Sequence, residues 1–249
     1  MTKAKAHKLI RKAHRYMGVI FGIQFLFWTL GGLYFSWTNI KEIRGEDVRK
    51  EEPALILTGN YVSPGSVINE VKKKHTIQYL KSVQLIDLLG HPYYQVSFHN
   101  TQRIKTVLAK AITGELKEAL TEPEAIAVAK SRLKHPEEPA SVKFISETNG
   151  HHEYREKPLP AYAITFKGNI NSTVYVSAEM GTVQSFRNNR WRVFDFLWML
   201  HTMDYKERDN INNWVLRVFS ALGLIAIISG FMLYFISVRR KKNDNTEMN

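Results

Sequence analysis

Two uncharged apolar runs, one near each end, constrain this chain more than any other feature. From Tyr16 to Trp37 and from Val218 to Val238 there is no Lys, Arg, Asp, Glu or His. As helices rising about 1.5 Å per residue, each covers roughly 30 Å, the thickness of a bilayer's hydrocarbon core. The 180 residues between them are polar, so the chain reads as a membrane hairpin whose two legs carry one water-soluble domain on the same side.

Charge orients the hairpin. Lys3, Lys5, Lys8, Arg11, Lys12 and Arg15 precede the first run with no acid among them, and Arg239, Arg240, Lys241 and Lys242 follow the second with only Asp244 and Glu247. The two ends therefore carry a net +8 of the chain's +12. By the positive-inside rule both termini are expected in the cytoplasm and the centre outside it. The high isoelectric point is then a topology signal, and a nucleic-acid partner is not expected. The first run is longer than a signal-peptide core and is followed by Thr38-Asn39-Ile40-Lys41 rather than small residues, so it reads as an uncleaved anchor. With no cysteine in the chain, disulfides, thiol catalysis and Cys-based metal sites are excluded. A bacterial inner membrane with a periplasmic domain is the expected location. The segments expected are a basic N-terminus at 1–15, a transmembrane helix at 16–37, a periplasmic domain at 38–188, an amphipathic interfacial helix and turn at 189–213, a second transmembrane helix at 214–238 and a basic tail at 239–249.

The central domain repeats itself. Tyr94-Gln95-Val96-Ser97-Phe98 is matched by Tyr162-Ala163-Ile164-Thr165-Phe166, and Val107 to Leu116 aligns residue for residue with Val174 to Val183. Alternate apolar positions are the period of a half-buried strand, and the shared Gly114 and Gly181 sit where a tight turn needs positive φ. Upstream of each hairpin lies a helical pattern opening at a proline, Pro64 to Lys74 and Pro123 to Leu133. Strands are expected after these helices near Tyr79 to Ile86 and Ala140 to Ile145. Two units of helix, strand, strand, strand, at about 63–118 and 122–186, make an α+β domain.

These units resemble the PepSY domain, an amphipathic helix followed by Tyr-x-Val-x-Phe strands and a Val-x-Val-x-Ala-x-x-Gly-x-Val strand and turn. The flanks resemble PepSY-associated transmembrane segments, through Lys12-Ala13-His14-Arg15-Tyr16-Met17-Gly18-Val19 and Phe194-Asp195-Phe196-Leu197-Trp198-Met199-Leu200-His201-Thr202. The likeness covers nearly the whole chain. It implies an α+β membrane protein with two transmembrane helices flanking two periplasmic PepSY-like repeats. From the larger four-helix members it implies haem b held between helices by histidines, with electrons passed to siderophore-borne iron. The alternative is a non-enzymatic module that binds a periplasmic partner or restrains a peptidase, its helices serving as anchors.

Two histidines are the candidate ligands of such a haem, His14 and His201. His14 opens the first helix, with Gly18 and Gly22 following on the same face, where a second backbone or a flat cofactor could approach closely. Alternatively it is an interfacial residue capping that helix. His201 belongs to a stripe of Phe194, Leu197, Trp198, His201 and Tyr205 at helical spacing, expected to lie on the outer membrane surface. The two stand roughly 30 Å apart, at opposite membrane faces, which is too far for one iron. Either each meets a partner from a second copy or another membrane subunit, a homodimer rebuilding a four-helix bundle being the simplest source, or each supports a separate haem with a second ligand not identified in the sequence; alternatively His201 only snorkels and ligates nothing. Ala226 and Gly230 read as a helix-packing face. His151-His152-Glu153 reads as a polar loop rather than a metal site. Glu122 and Glu124 read as first-turn charges of a helix.

Overall fold

In the computed structural model of the chain the described residues are 3–52, 55, 59–168 and 171–246, with side chains described from Arg15 to Tyr234 apart from Met17, Ser229, Met232 and Leu233. The chain divides into two compact bodies, a helical one of Met1–Trp37 with Phe194–Asn249 and an α/β one of Thr38–Val193.

The α/β body opens with the short helix α2 (Ile40–Ile43), which follows α1 (Lys3–Trp37), and then repeats one plan twice. The first lobe is α3 (Pro64–Lys74), β1 (Tyr79–Leu88), β2 (His91–His99), β3 (Ile104–Lys110) and β4 (Leu116–Lys117). The second is α4 (Glu122–Ser131), β5 (Pro139–Ile145), β6 (Ala161–Phe166), β7 (Ser172–Ser177) and β8 (Val183–Arg187). Each lobe is a four-stranded antiparallel meander in sequence order. The fourth strand is an addition to the three expected. β4 is only two residues long, too short to show an alternation.

Local sequence explains each helix. Ser63 caps α3 by accepting from the Gly65 N–H, Pro64 supplies a preset φ, and Lys72, Lys73 and Lys74 sit at the negative end of its dipole. Val67 and Val71 then pack on Tyr94, Val96, Phe98, Val107 and Ala109. α4 opens with Glu124 closing a capping box, its Oε2 accepting from the Thr121 N–H at 2.8 Å and hydroxyl at 3.0 Å. The reading of Glu124 as a first-turn charge holds, and Lys117 completes it by an ion pair at 2.7 Å. Ala125, Val128 and Ala129 pack on Ile164, Phe166, Val174 and Val176.

The two lobes match bond for bond. The Gly114 N–H donates to the Lys110 carbonyl and that of Gly181 to Ser177, with φ of 75° and 69° respectively. Ala111 N–H donates to Pro92 O and Ala178 N–H to Pro160 O, each at 3.0 Å. The Tyr94 hydroxyl donates to Val62 O, the Tyr162 hydroxyl to Leu120 O, and both first strands slip register at the same place, Leu80/Ser82 and Pro139/Ser141.

They differ in one connection. β1 and β2 are joined by Leu89-Gly90, both at positive φ as a two-residue hairpin turn requires. β5 and β6 are joined by the long segment 146–160, which folds back over its own sheet. One core cluster spans both lobes, since Leu88 and Leu108 of the first pack among α4 and the second sheet. A Cβ on Gly181 would stand 2.8 Å from Leu108 Cδ1, so glycine is needed there for close approach as well as for φ.

In the helical body, α5 (Asn189–Thr202) contributes its residues from Phe194 onward and α6 (Trp214–Thr246) follows. α5 runs antiparallel to α1, with Phe194 against Phe35 (4.8 Å between ring centres), His201 against Trp28 (5.7 Å), and the Leu200 carbonyl accepting from Gln24 Nε2 at 2.9 Å. The apolar stripe read from the sequence is therefore spent, at these positions, on α1. α6 meets α1 through Phe219, which packs on Phe21 and Trp28, and through Gly223 beside Phe25. Within the first run, Gly18–Trp37 is long and apolar enough to cross a membrane, while the described apolar part of α6, Trp214–Ile228, is shorter. The rest of the second run includes side chains outside the described residues.

Candidate functional site

α1 and α5 meet around His201. Its ring lies 5.7 Å from Trp28, 6.1 Å from Phe35 and 6.1 Å from Trp198, nearly parallel to the last at 10°. The wall is built by helical spacing, because Trp28 and Phe35 are two turns apart on α1 while Trp198 is one turn before His201 on α5. The backbone is fixed as well: Trp28 Nε1 donates to the His201 carbonyl at 3.0 Å. The imidazole itself is not satisfied. Nδ1 is buried and has no hydrogen-bond partner among the described residues, a condition that costs about 1–3 kcal/mol for a polar group without compensation.

Below this site the chain turns through a rigid loop. Asp204 accepts from the N–H groups of Lys206, Glu207 and Asn210. Burial alone would raise its carboxyl, yet these backbone donors, with that of Arg208, hold it below the usual carboxylate range. Arg208 then pairs with the buried Asp195 at 2.5 Å.

The other candidates are placed differently. His14 lies on α1, but its side chain is outside the described residues. On that helix it is fourteen residues before Trp28, roughly 21 Å along the axis, so the fold does not bring it to His201. Gly18, Gly22 and Gly230 have nothing within 4 Å of where a Cβ would stand, and Ala226 is half-buried. The α1–α6 contact described above uses Gly223 and aromatic rings instead.

In the α/β body, His152 and Glu153 are held in bonds within their own lobe. His152 Nδ1 accepts from the Tyr154 N–H at 3.0 Å. Glu153 receives Arg192 through two bonds, at 2.7 and 3.0 Å, and the Tyr175 hydroxyl at 2.7 Å. Burial pushes its carboxyl up, but these donors outweigh it and hold the group below its ordinary value. No group of three or more His, Cys, Asp or Glu suited to a metal ion occurs among the described residues. Trp28, Phe35 and Gln24 are the site residues that sequence reading missed. Their signal was two aromatics seven residues apart in the first apolar run, with a lone glutamine one turn before them.

Two antiparallel α/β lobes joined to a bundle with a membrane-length apolar helix and a histidine walled by aromatic rings define a class: a membrane protein carrying a small folded module. Residues 1–234 match the family model described as the PepSY-associated TM region, and the chain belongs to that family. Comparison with curated proteins and with solved structures gave no match.

Proposed function

We propose that this is a two-pass inner-membrane protein that holds two PepSY units in the periplasm and passes electrons, through haem b bound at His201, to ferric iron outside the cytoplasm. The observation that carries the cofactor reading is the buried, unpartnered Nδ1 of His201 within the wall of Trp28, Phe35 and Trp198. An apolar, aromatic surround with an imidazole nitrogen that has no hydrogen-bond partner among the described residues would suit a haem ligand. Haem b would supply a one-electron couple there. His201 would hold the iron, and the bond from Trp28 to the His201 backbone would fix that ligand's height on α5. The rings would exclude water.

Two features support the topology. Trp37 and Trp214 are strongly exposed at 84% and 73%, while Tyr16 and Tyr234 are exposed at the opposite ends of the two apolar helices. Each Trp–Tyr pair spans roughly 30 Å along its helix, as interfacial aromatic belts require. With the N-terminus cytoplasmic, the Trp28–Phe35 stretch beside His201 falls in the outer half of the first crossing. His14 would then serve a separate, inner-side iron. A further ligand for each haem would come from a second copy of the chain or another membrane subunit, and the unencumbered Gly18, Gly22 and Gly230 suit close approach of a further helix.

The test is optical. The protein purified from haem-replete cells should show a Soret band, and His201→Ala should remove an outer-side component from a redox titration while His14→Ala removes an inner-side one. A colourless wild-type protein would overturn the cofactor reading and move the function to the periplasmic module. A reporter active only in the periplasm should work at Gly150 and fail after Asn249, and the reverse pattern would overturn the orientation.

A further inference from the structure

The two lobes share a fold and differ in charge. Residues 59–118 carry eight Lys and Arg to four Asp and Glu, whereas residues 119–188 carry eight of each. In the first lobe Lys73, Lys110, Lys117 and Arg103 are spent on Glu70, Glu115, Glu124 and Glu179. Lys74 and Lys105 have no ion-pair partner among the described residues. Both line one open cleft of about 450 Å³, a volume within the range of small-molecule sites.

The fold brings these two lysines together from different elements. Lys105 stands opposite Phe98 in the β2–β3 ladder, so both side chains project from the face of the sheet that receives α3. His75, which ends α3, holds its ring 5.7 Å from that of the same Phe98, and Lys74 directly precedes it. The dipole of α3 accounts for a lysine at position 74, but a strand has no such need at position 105. The local field reflects the convergence. Burial first, and then the charge of Lys105, hold the His75 imidazole below its ordinary value, with Lys74 adding to them and Glu118 and Glu179 opposing. Glu179 is already held by Arg103 through two bonds, which leaves Glu118 as the uncommitted acid of the cleft among the described residues. The second lobe has no counterpart. Ser172 takes the place of Lys105, opposite Phe166, and Lys134, as far from the opening proline of its helix as His75 is, donates its Nζ to the Asp47 carbonyl at 2.7 Å.

We infer that this cleft binds a small organic anion through Lys74 and Lys105, one that carries two or more carboxylate or phosphate groups. Two ammonium groups without acids of their own offer charge-assisted bonds to oxyanions, and one anionic group for each lysine relieves their mutual repulsion. Val107, Leu108 and Leu116 on the wall suit the carbon skeleton between those groups. The site belongs to the α/β body alone and stands whether or not the helical body binds haem.

The probes are citrate and inorganic phosphate, titrated by calorimetry into the full-length protein in nanodiscs of zwitterionic lipid, with glycerol as the neutral control and empty nanodiscs as the blank. At least one anion should bind and glycerol should not; citrate alone would assign the site to carboxylates, and phosphate alone to phosphate groups. Lys74→Met and Lys105→Met should each weaken binding about tenfold or more, since each removes a charge-assisted bond. Lys143→Met removes the same net charge from an exposed position of the second lobe and should leave affinity within about twofold. Glu118→Gln should tighten binding by removing the competing acid. If Lys105→Met lowers the melting temperature, Lys105→Gln takes its place. No binding of either anion, or equal weakening in Lys143→Met, would overturn the inference.

Discussion

Glu153 and His201 are both half-buried polar side chains in aromatic company, and they are opposites in how they are satisfied. Glu153 has three donors on its carboxylate, from Arg192 and Tyr175, and Arg187 Nε donates to its backbone carbonyl at 2.9 Å while the Arg187 guanidinium lies 4.0 Å over the Trp191 ring. His201 has aromatic rings on three sides and a ring nitrogen with no partner among the described residues. A saturated centre reads as architecture, and an unsatisfied one as a place where something else completes the bonding.

The contrast can be broken by mutation, and the largest effect falls on the saturated side. Glu153→Ala strands Arg192 and the Tyr175 hydroxyl, and we expect a loss of about 2–3 kcal/mol in urea unfolding of the full chain in detergent. A loss below about 0.5 kcal/mol would show that the network is ornamental.

Slightly smaller is the penalty at the shared turn. Gly181→Ala should cost about 2 kcal/mol, from positive φ together with the contact to Leu108, while Gly114→Ala, which meets only Val62 at 3.5 Å, should cost about 1 kcal/mol from φ alone. Equal losses would deny that the second turn is wedged into the shared core.

pH sharpens the comparison further. Because the folded-state pKa of Glu153 lies below its unfolded value, its contribution is fully present above the unfolded value, about 4.3, and is lost as pH falls through the folded one. Unfolding measured from pH 7 downward should therefore lose stability below about pH 4, and Glu153→Gln should flatten that loss. An unchanged acid limb in the variant would assign it to other carboxylates.

The smallest effect is expected at His201. Phenylalanine keeps the aromatic packing and removes the unpartnered nitrogen, so His201→Phe should change stability by less than about 1 kcal/mol in either direction. A loss above about 2 kcal/mol would mean that the imidazole is a structural member after all.

Much of the α/β body is written in local pattern. The limits of α3 follow from Ser63-Pro64 and the closing lysines, and the paired strands from alternation at Tyr94-Val96-Phe98 and Tyr162-Ile164-Phe166. Gly114 and Gly181 follow from a repeat that places both at one turn. What was not legible depends on distant partners. Arg192 reaches Glu153 across thirty-nine residues, so Glu153 reads in sequence as one acid in a polar loop. Tyr154 stands alone among polar neighbours, and nothing local says that it folds back over Tyr175. The stripe carrying His201 was visible, but not that α1 would receive it at Gln24, Trp28 and Phe35, since helical periodicity gives a face and not its partner.

One measurement goes to the centre of the account: the absorption spectrum of the full-length protein purified from haem-supplemented cells, beside that of His201→Phe, both folded by melting temperature. The account predicts a Soret band in the wild type and a reduced one in the variant, with an outer-side redox component missing. A wild-type protein with no haem, or a variant with undiminished haem and unchanged midpoint behaviour, would contradict it.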